Sequence, residues 1–164
     1  AAGDIDGDGL VEVIAPEAGG GYCAVGYDIA SDTWAVEWVS EEKVSTHRTV
    51  SIADIDHDGS PEIIASSMIL NGDGILKCRL GSSADFAVDI DMEGWMELIA
   101  NEYVLDVNPD WTVTTRWRIQ YKSFRNAISD MDGDSYPEIV KAMTNNVQRE
   151  TRETRDRHLM RNNT

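Results

Sequence analysis

The stretch Asp54-Ile55-Asp56-His57-Asp58-Gly59-Ser60-Pro61-Glu62-Ile63-Ile64-Ala65 decides how the rest of the chain is read. Its carboxylates stand at positions 1, 3, 5 and 9, a glycine follows the third, and the segment runs out into apolar residues. Comparing the chain with itself finds the same pattern, without a gap, at Asp4 to Ala15, Asp89 to Ala100 and Asp130 to Lys141. The four starts lie 50, 35 and 41 residues apart. A single copy is what a solvated acidic turn would offer, but four copies in 164 residues make a repeat.

The spacing has a chemical meaning. Side chains at positions 1, 3 and 5 of a tight loop can converge on one point. Position 7 can add its backbone carbonyl, and the acid at position 9 reaches in as the next strand begins. Five or more oxygens in a flexible loop suit calcium, a hard cation, better than magnesium, which demands stricter octahedral geometry and keeps its waters. Zinc would call for nitrogen or sulfur ligands, and His47, His57 and His158 are isolated from one another. Gathering four carboxylates without a cation costs several kcal/mol of mutual repulsion. An EF-hand also uses positions 1, 3 and 5, but it needs a Glu at position 12 and flanking helices. Here position 12 is Ala15, Ala65, Ala100 or Lys141 and the flanks are strand-like, so the EF-hand and dockerin readings fail.

The copies differ in detail. Asp4 and Asp54 head the most regular ones, while Glu93 replaces the Asp at position 5 of the third. In the fourth, Ser135 stands where the others have Gly9, Gly59 and Gly94; if that position needs φ > 0, Ser is strained by roughly 1 kcal/mol.

Working outward, each acidic segment ends in an apolar run suited to a buried strand: Val13-Ile14, Ile63-Ile64, Leu98-Ile99 and Ile139-Val140. A second strand is predicted at about 22–28, 67–70 and 103–108, and a third near 33–39, 75–80 and 112–119. A fourth, near 49–53, 85–88 and 126–129, leads into the next acidic loop. No stretch of 1–143 keeps helical periodicity for three turns. The expected fold is therefore all-β, built of β-propeller-type repeats of four-stranded antiparallel blades: about three blades plus part of a fourth, in a partial or assembled propeller. Residues 1–147 form the repeat region, and 148–164 a polar tail with five Arg, read as a solvated end. The first residues read as lying inside a loop whose preceding strand is missing, which suggests a piece of a larger propeller or blades completed by neighbouring chains.

Composition narrows the function. Thirty Asp plus Glu against 14 Lys plus Arg give a formal charge of −16, which argues against a phosphate-binding, nucleic-acid partner. No apolar stretch approaches the ~20 residues that span a bilayer, so no membrane insertion is expected. Cys23 and Cys78 are compatible with one disulfide or with two thiols. The chain begins without Met and without a leader, consistent with a removed signal peptide or a fragment. Sixteen of the 30 acidic residues lie in the four loops, so the acidity reads chiefly as a demand for cations.

At these loops the sequence resembles the FG-GAP/VCBS repeat family, to which the integrin α-subunit propeller belongs, although its FG and GAP peptides are not obvious here. The resemblance covers about residues 1–143 and implies loops that join strands of adjacent propeller elements and bind calcium, up to four Ca2+ in all. The implied side-chain ligands are Asp4, Asp6, Asp8 and Glu12; Asp54, Asp56, Asp58 and Glu62; Asp89, Asp91, Glu93 and Glu97; and Asp130, Asp132, Asp134 and Glu138. Backbone oxygens would come from Leu10, Ser60, Trp95 and Tyr136. It further implies an extracellular or cell-surface, secreted module for adhesion, recognition or assembly, with a protein or carbohydrate ligand. Trp34, Trp95, Trp111, Tyr121 and Tyr136 could face a sugar, although packing between blades is the plainer role for them. The alternative is part of a calcium-dependent polysaccharide lyase, for which His57, Arg116, Arg118, Lys122 and Arg125 are the candidates. No nucleophile–base constellation or GxSxG elbow supports an enzyme, and none is assigned.

Overall fold

The structure is a computed structural model that describes residues 1–44, 49–100, 102–118, 125–142 and 147–150. Among these residues there is no helix, and fifteen strands form four antiparallel sheets. The first sheet holds β1 (Ala2–Gly3), β2 (Glu12–Pro16), β3 (Tyr22–Asp28) and β4 (Thr33–Val39). The second holds β5 (Val50–Ala53), β6 (Glu62–Ala65), β7 (Met68–Leu70) and β8 (Leu76–Arg79). The third holds β9 (Phe86–Val88), β10 (Glu97–Ala100), β11 (Tyr103–Val107) and β12 (Val113–Arg118), and the last holds β13 (Arg125–Ser129), β14 (Glu138–Ala142) and β15 (Val147–Glu150). Each sheet is a meander in chain order, as short local connections favour. Among the described residues the sheets are open, and no ring of blades closes.

Two expectations need correction. Each acidic loop joins the first and second strands of one sheet rather than two adjacent elements, with Glu12, Glu62, Glu97 and Glu138 as the first residues of their strands. A loop this short brings its flanking strands side by side, so the strand read as the fourth of one repeat becomes the first of the next sheet. For the same reason the strand before Asp4 is not missing: Ala2 and Gly3 pair with Val13 and Glu12. Of the tail, Gln148–Glu150 belong to β15, and the remainder lies outside the described residues.

The sheets stack by a simple rule of alternation. Successive strand residues point to opposite faces, so one apolar run serves two interfaces. Ile14 of the first sheet packs with Ile63 and Ala65 of the second. Ile64, facing the other way, packs with Leu98 and Ala100 of the third, and Ile99 packs with Ile139 of the fourth. The loops join this core too, since Ile5 and Ile55, one residue after the first Asp, are buried in it. The Trp38 indole N–H donates to Gly72 O at 2.8 Å, tying the first sheet to the turn of the second. The ring of Trp38 lies so close to Gly74, at φ 76°, that a side chain there would collide with it.

Candidate metal centres

All four loops fold by one hydrogen-bond scheme. The first Asp accepts the N–H of position 6: Asp4 from Gly9 at 3.1 Å, Asp54 from Gly59 at 3.0 Å, Asp89 from Gly94 at 3.3 Å and Asp130 from Ser135 at 3.0 Å. The third residue accepts from the fifth, as in an Asx turn, at 3.0–3.3 Å. The fifth accepts from the seventh in three loops: Asp8 from Leu10, Asp58 from Ser60 and Asp134 from Tyr136, at 2.7, 2.7 and 2.9 Å. Position 6 is left-handed throughout, at φ 89°, 93° and 112° for Gly9, Gly59 and Gly94 and 75° for Ser135, so the condition under which Ser135 is strained is met. Position 4 is left-handed as well, which the sequence reading missed: Gly7 and Gly133 are glycines, but His57 and Met92 are not.

The glutamate at position 9 has a role of its own. Glu12, Glu62, Glu97 and Glu138 are all buried, and each Oε2 accepts the N–H of position 2. The donors are Ile5, Ile55, Ile90 and Met131, at 2.9, 2.9, 2.8 and 2.8 Å. Glu has the reach to span seven residues back along the chain and satisfy an N–H otherwise lost beneath the loop. Its recurrence is thus accounted for by backbone capping before any cation is considered.

Three or four carboxylates converge in each loop, with ligand oxygens all within 4.8 Å of one another: Asp4, Asp6 and Asp8; Asp54, Asp56 and Asp58; Asp89, Asp91 and Glu97; and Asp130, Asp132, Asp134 and Glu138. Each group could hold a metal ion, and an all-oxygen donor set suits a hard cation. Glu12, Glu62 and Glu93 fall outside these groups. Leu10, Ser60 and Tyr136 show a backbone role as donors to the loop, and Trp95 packs its ring on Trp111 at 5.5 Å between centroids.

The last strand of each of the first three sheets adds a residue that sequence reasoning did not connect to the loops. The pairing of β3 with β4, of β7 with β8 and of β11 with β12 each skips one residue, a β-bulge. The skipped residues are Glu37, Lys77 and Arg116, one per sheet. Lys77 Nζ lies 2.6 Å from Glu62 Oε1, 4.0 Å from Asp56 and 3.9 Å from the centroid of the Trp111 ring. Arg116 pairs with Asp91, with Glu97 Oε1 at 3.1 Å and with Asp106 at 2.6 Å. Glu37 instead shares an open depression with Asp8 and Leu10. Desolvation raises its pKa, and Glu12, Asp6 and Asp8 raise it further. Burial likewise pushes Glu62 up against the pull of Lys77, and pushes Glu97 up to about 7 against that of Ile90 N–H and Arg116.

The candidates for acid–base work are dispersed or committed. His57 sits exposed on a loop, Arg116 is held by three carboxylates, and Arg118 pairs with Glu102 at 2.9 Å. Lys122, Tyr121, His47 and His158 lie outside the described residues, as does the side chain of Arg125. Cys23 and Cys78 are both free thiols. No described helix is long and apolar enough to cross a membrane.

No family model matches the sequence, and no curated protein matches it. Among solved structures, the chain is similar to the crystal structure of the V. cholerae biofilm matrix protein Bap1, with a TM-score of 0.69 and 20% identity. The likeness covers 92% of this chain and 26% of that one, so the chain spans about a quarter of its neighbour's length. At this identity the comparison speaks to the fold, and the fold is one also present within part of a biofilm matrix protein.

Proposed function

We propose that this chain is a calcium-stabilised stack of propeller-type sheets that serves adhesion, recognition or assembly outside the cell. The observation that carries the reading is the fourfold recurrence of converging carboxylates in loops of one common fold. Calcium is the cation that a flexible, all-oxygen donor set favours. The structural likeness to part of a biofilm matrix protein supports an extracellular, matrix-type role. A polysaccharide-lyase reading has less to stand on, because Arg116 is committed to holding a loop and His57 stands exposed on one.

The partner proposed for the outer face of the first sheet is a further sheet of the same repeat type. Val13 and Ala15 occupy the repeat positions of Ile63 and Ala65, yet Val13 is 41% exposed where Ile63 is 0%. Trp34, Val36 and Val39 of β4 extend the same apolar surface. A sheet stacked there would bury it as the second sheet buries Ile14.

The test is metal content and its effect on unfolding. Elemental analysis after dialysis should find bound calcium, and a chelator should lower the melting temperature. At calcium 100-fold above its dissociation constant, each site adds about 2.7 kcal/mol. A protein without calcium whose melting curve ignores chelator would overturn the metal reading.

A further inference from the structure

The three bulges place one residue per sheet against its own acidic loop, and the sign of that residue changes along the chain. We propose that Lys77 and Arg116 are resident counter-ions, which hold the second and third loops in shape without a divalent cation. This rests on the reading of the loops as calcium sites and divides them into two kinds.

The geometry is that of a built-in cation. A bulge re-aims the side chain of the extra residue while keeping the neighbouring strand pairs in register. Lys77 and Arg116 are thereby turned onto the glutamate that caps the loop, at 2.6 and 3.1 Å. Both glutamates are buried, so each Oε1 needs a partner, and each cation supplies one. Each cation is also held from outside its loop: Lys77 over the face of Trp111, and Arg116 through its Nε by Asp106. These outer anchors come from β11 and from the turn leading into β12, so the cations belong to the fold and not to the loop alone. In the first loop the same bulge carries Glu37. Among the described residues no Lys or Arg lies within ion-pair distance of Asp4, Asp6, Asp8 or Glu12. A point mutation at one strand position thus sets whether a loop of unchanged sequence is neutralised from within.

The test uses the full chain, with calcium as the probe. Lys77→Met and Arg116→Met keep most of the side-chain volume and remove the charge. Lys43→Met, which breaks an exposed pair with Glu17, is the control. In chelator, both variants are expected to melt below the control, and Arg116→Lys is expected to recover most of the loss. On calcium addition each Met variant is expected to bind one more ion than the parent, as calcium takes the vacated position. The parent is expected to bind fewer ions than its four loops would allow. A parent that fills all four loops, or Met variants with unchanged calcium number, would overturn the proposal. Should a Met variant fail to fold in chelator, its calcium number is read on protein refolded in calcium. If the parent binds no calcium, the calcium reading falls, and the counter-ion role is judged by the chelator melts alone: variants that melt with the control refute it.

Discussion

The first and second sheets share a loop motif, a strand order and a bulge, yet they sit in the molecule differently. The second is covered on both sides, with Glu62, Ile63, Ile64 and Ala65 all buried, and its bulge carries Lys77. Among the described residues the first is covered on one side only: its β2 alternates between buried Glu12 and Ile14 and exposed Val13, and its bulge carries Glu37. Apolar partners and counter-charges both reach the second sheet from within the chain, whereas among the described residues the first keeps an exposed apolar face and an acidic loop with no Lys or Arg in ion-pair distance. The repeat therefore specifies a unit of fold, and each unit's surroundings decide what it can bind.

The largest way to test this contrast is to truncate the equivalent core residues. Ile64→Ala leaves a cavity between the second and third sheets and should cost about 2–5 kcal/mol in urea unfolding. Val13→Ala, on the bare face, should cost less than about 1 kcal/mol. Equal costs would mean that something already covers Val13 in solution.

A smaller effect separates the two capping glutamates. In chelator, Glu62→Ala leaves Ile55 N–H unpaired beneath the loop and should cost about 1–3 kcal/mol. Glu12→Ala loses the same bond to Ile5, but it also relieves repulsion with Glu37, and so should cost less. Adding calcium should widen the cost at Glu12 if the first loop binds the ion. Identical costs in chelator and in calcium would erase the electrostatic difference between the loops.

The mildest test is chemical. Cys78, in the second sheet, is buried, and that burial pushes its thiol up to about 11, whereas Cys23, in the first, is half-buried. A thiol raised so far is almost wholly protonated at pH 8 and is a poor nucleophile. At that pH a thiol reagent should label Cys23 first, with Cys78 following only on unfolding. Simultaneous labelling would show that the second sheet opens as readily as the first.

Much of this was legible beforehand because its causes are local. The third strands expected near 33–39, 75–80 and 112–119 are β4, β8 and β12, since turn residues and apolar runs act over a few neighbours. The glycines at position 6 raised a positive φ there only as a condition, and the structure meets it at Gly9, Gly59 and Gly94 and also at Ser135. The positive φ at His57 and Met92 was not, because neither residue type announces it. Nor was the pairing of each strand with the one after its loop, since four strands per repeat can be grouped into sheets from more than one starting point.

By itself, then, the sequence determined the repeat, the all-β character and the clustering of acid in four loops, because each follows from residues within about ten positions of one another. Only the tertiary structure decided what faces those acids. Lys77 lies 15 residues from Glu62, and Arg116 lies 19 from Glu97. They meet because two hairpin turns and a bulge bring β8 and β12 back over their loops. A charge carried across a sheet in that way leaves no periodic mark on the chain, so Glu37, Lys77 and Arg116 look alike as surface residues until the fold sets them over carboxylates.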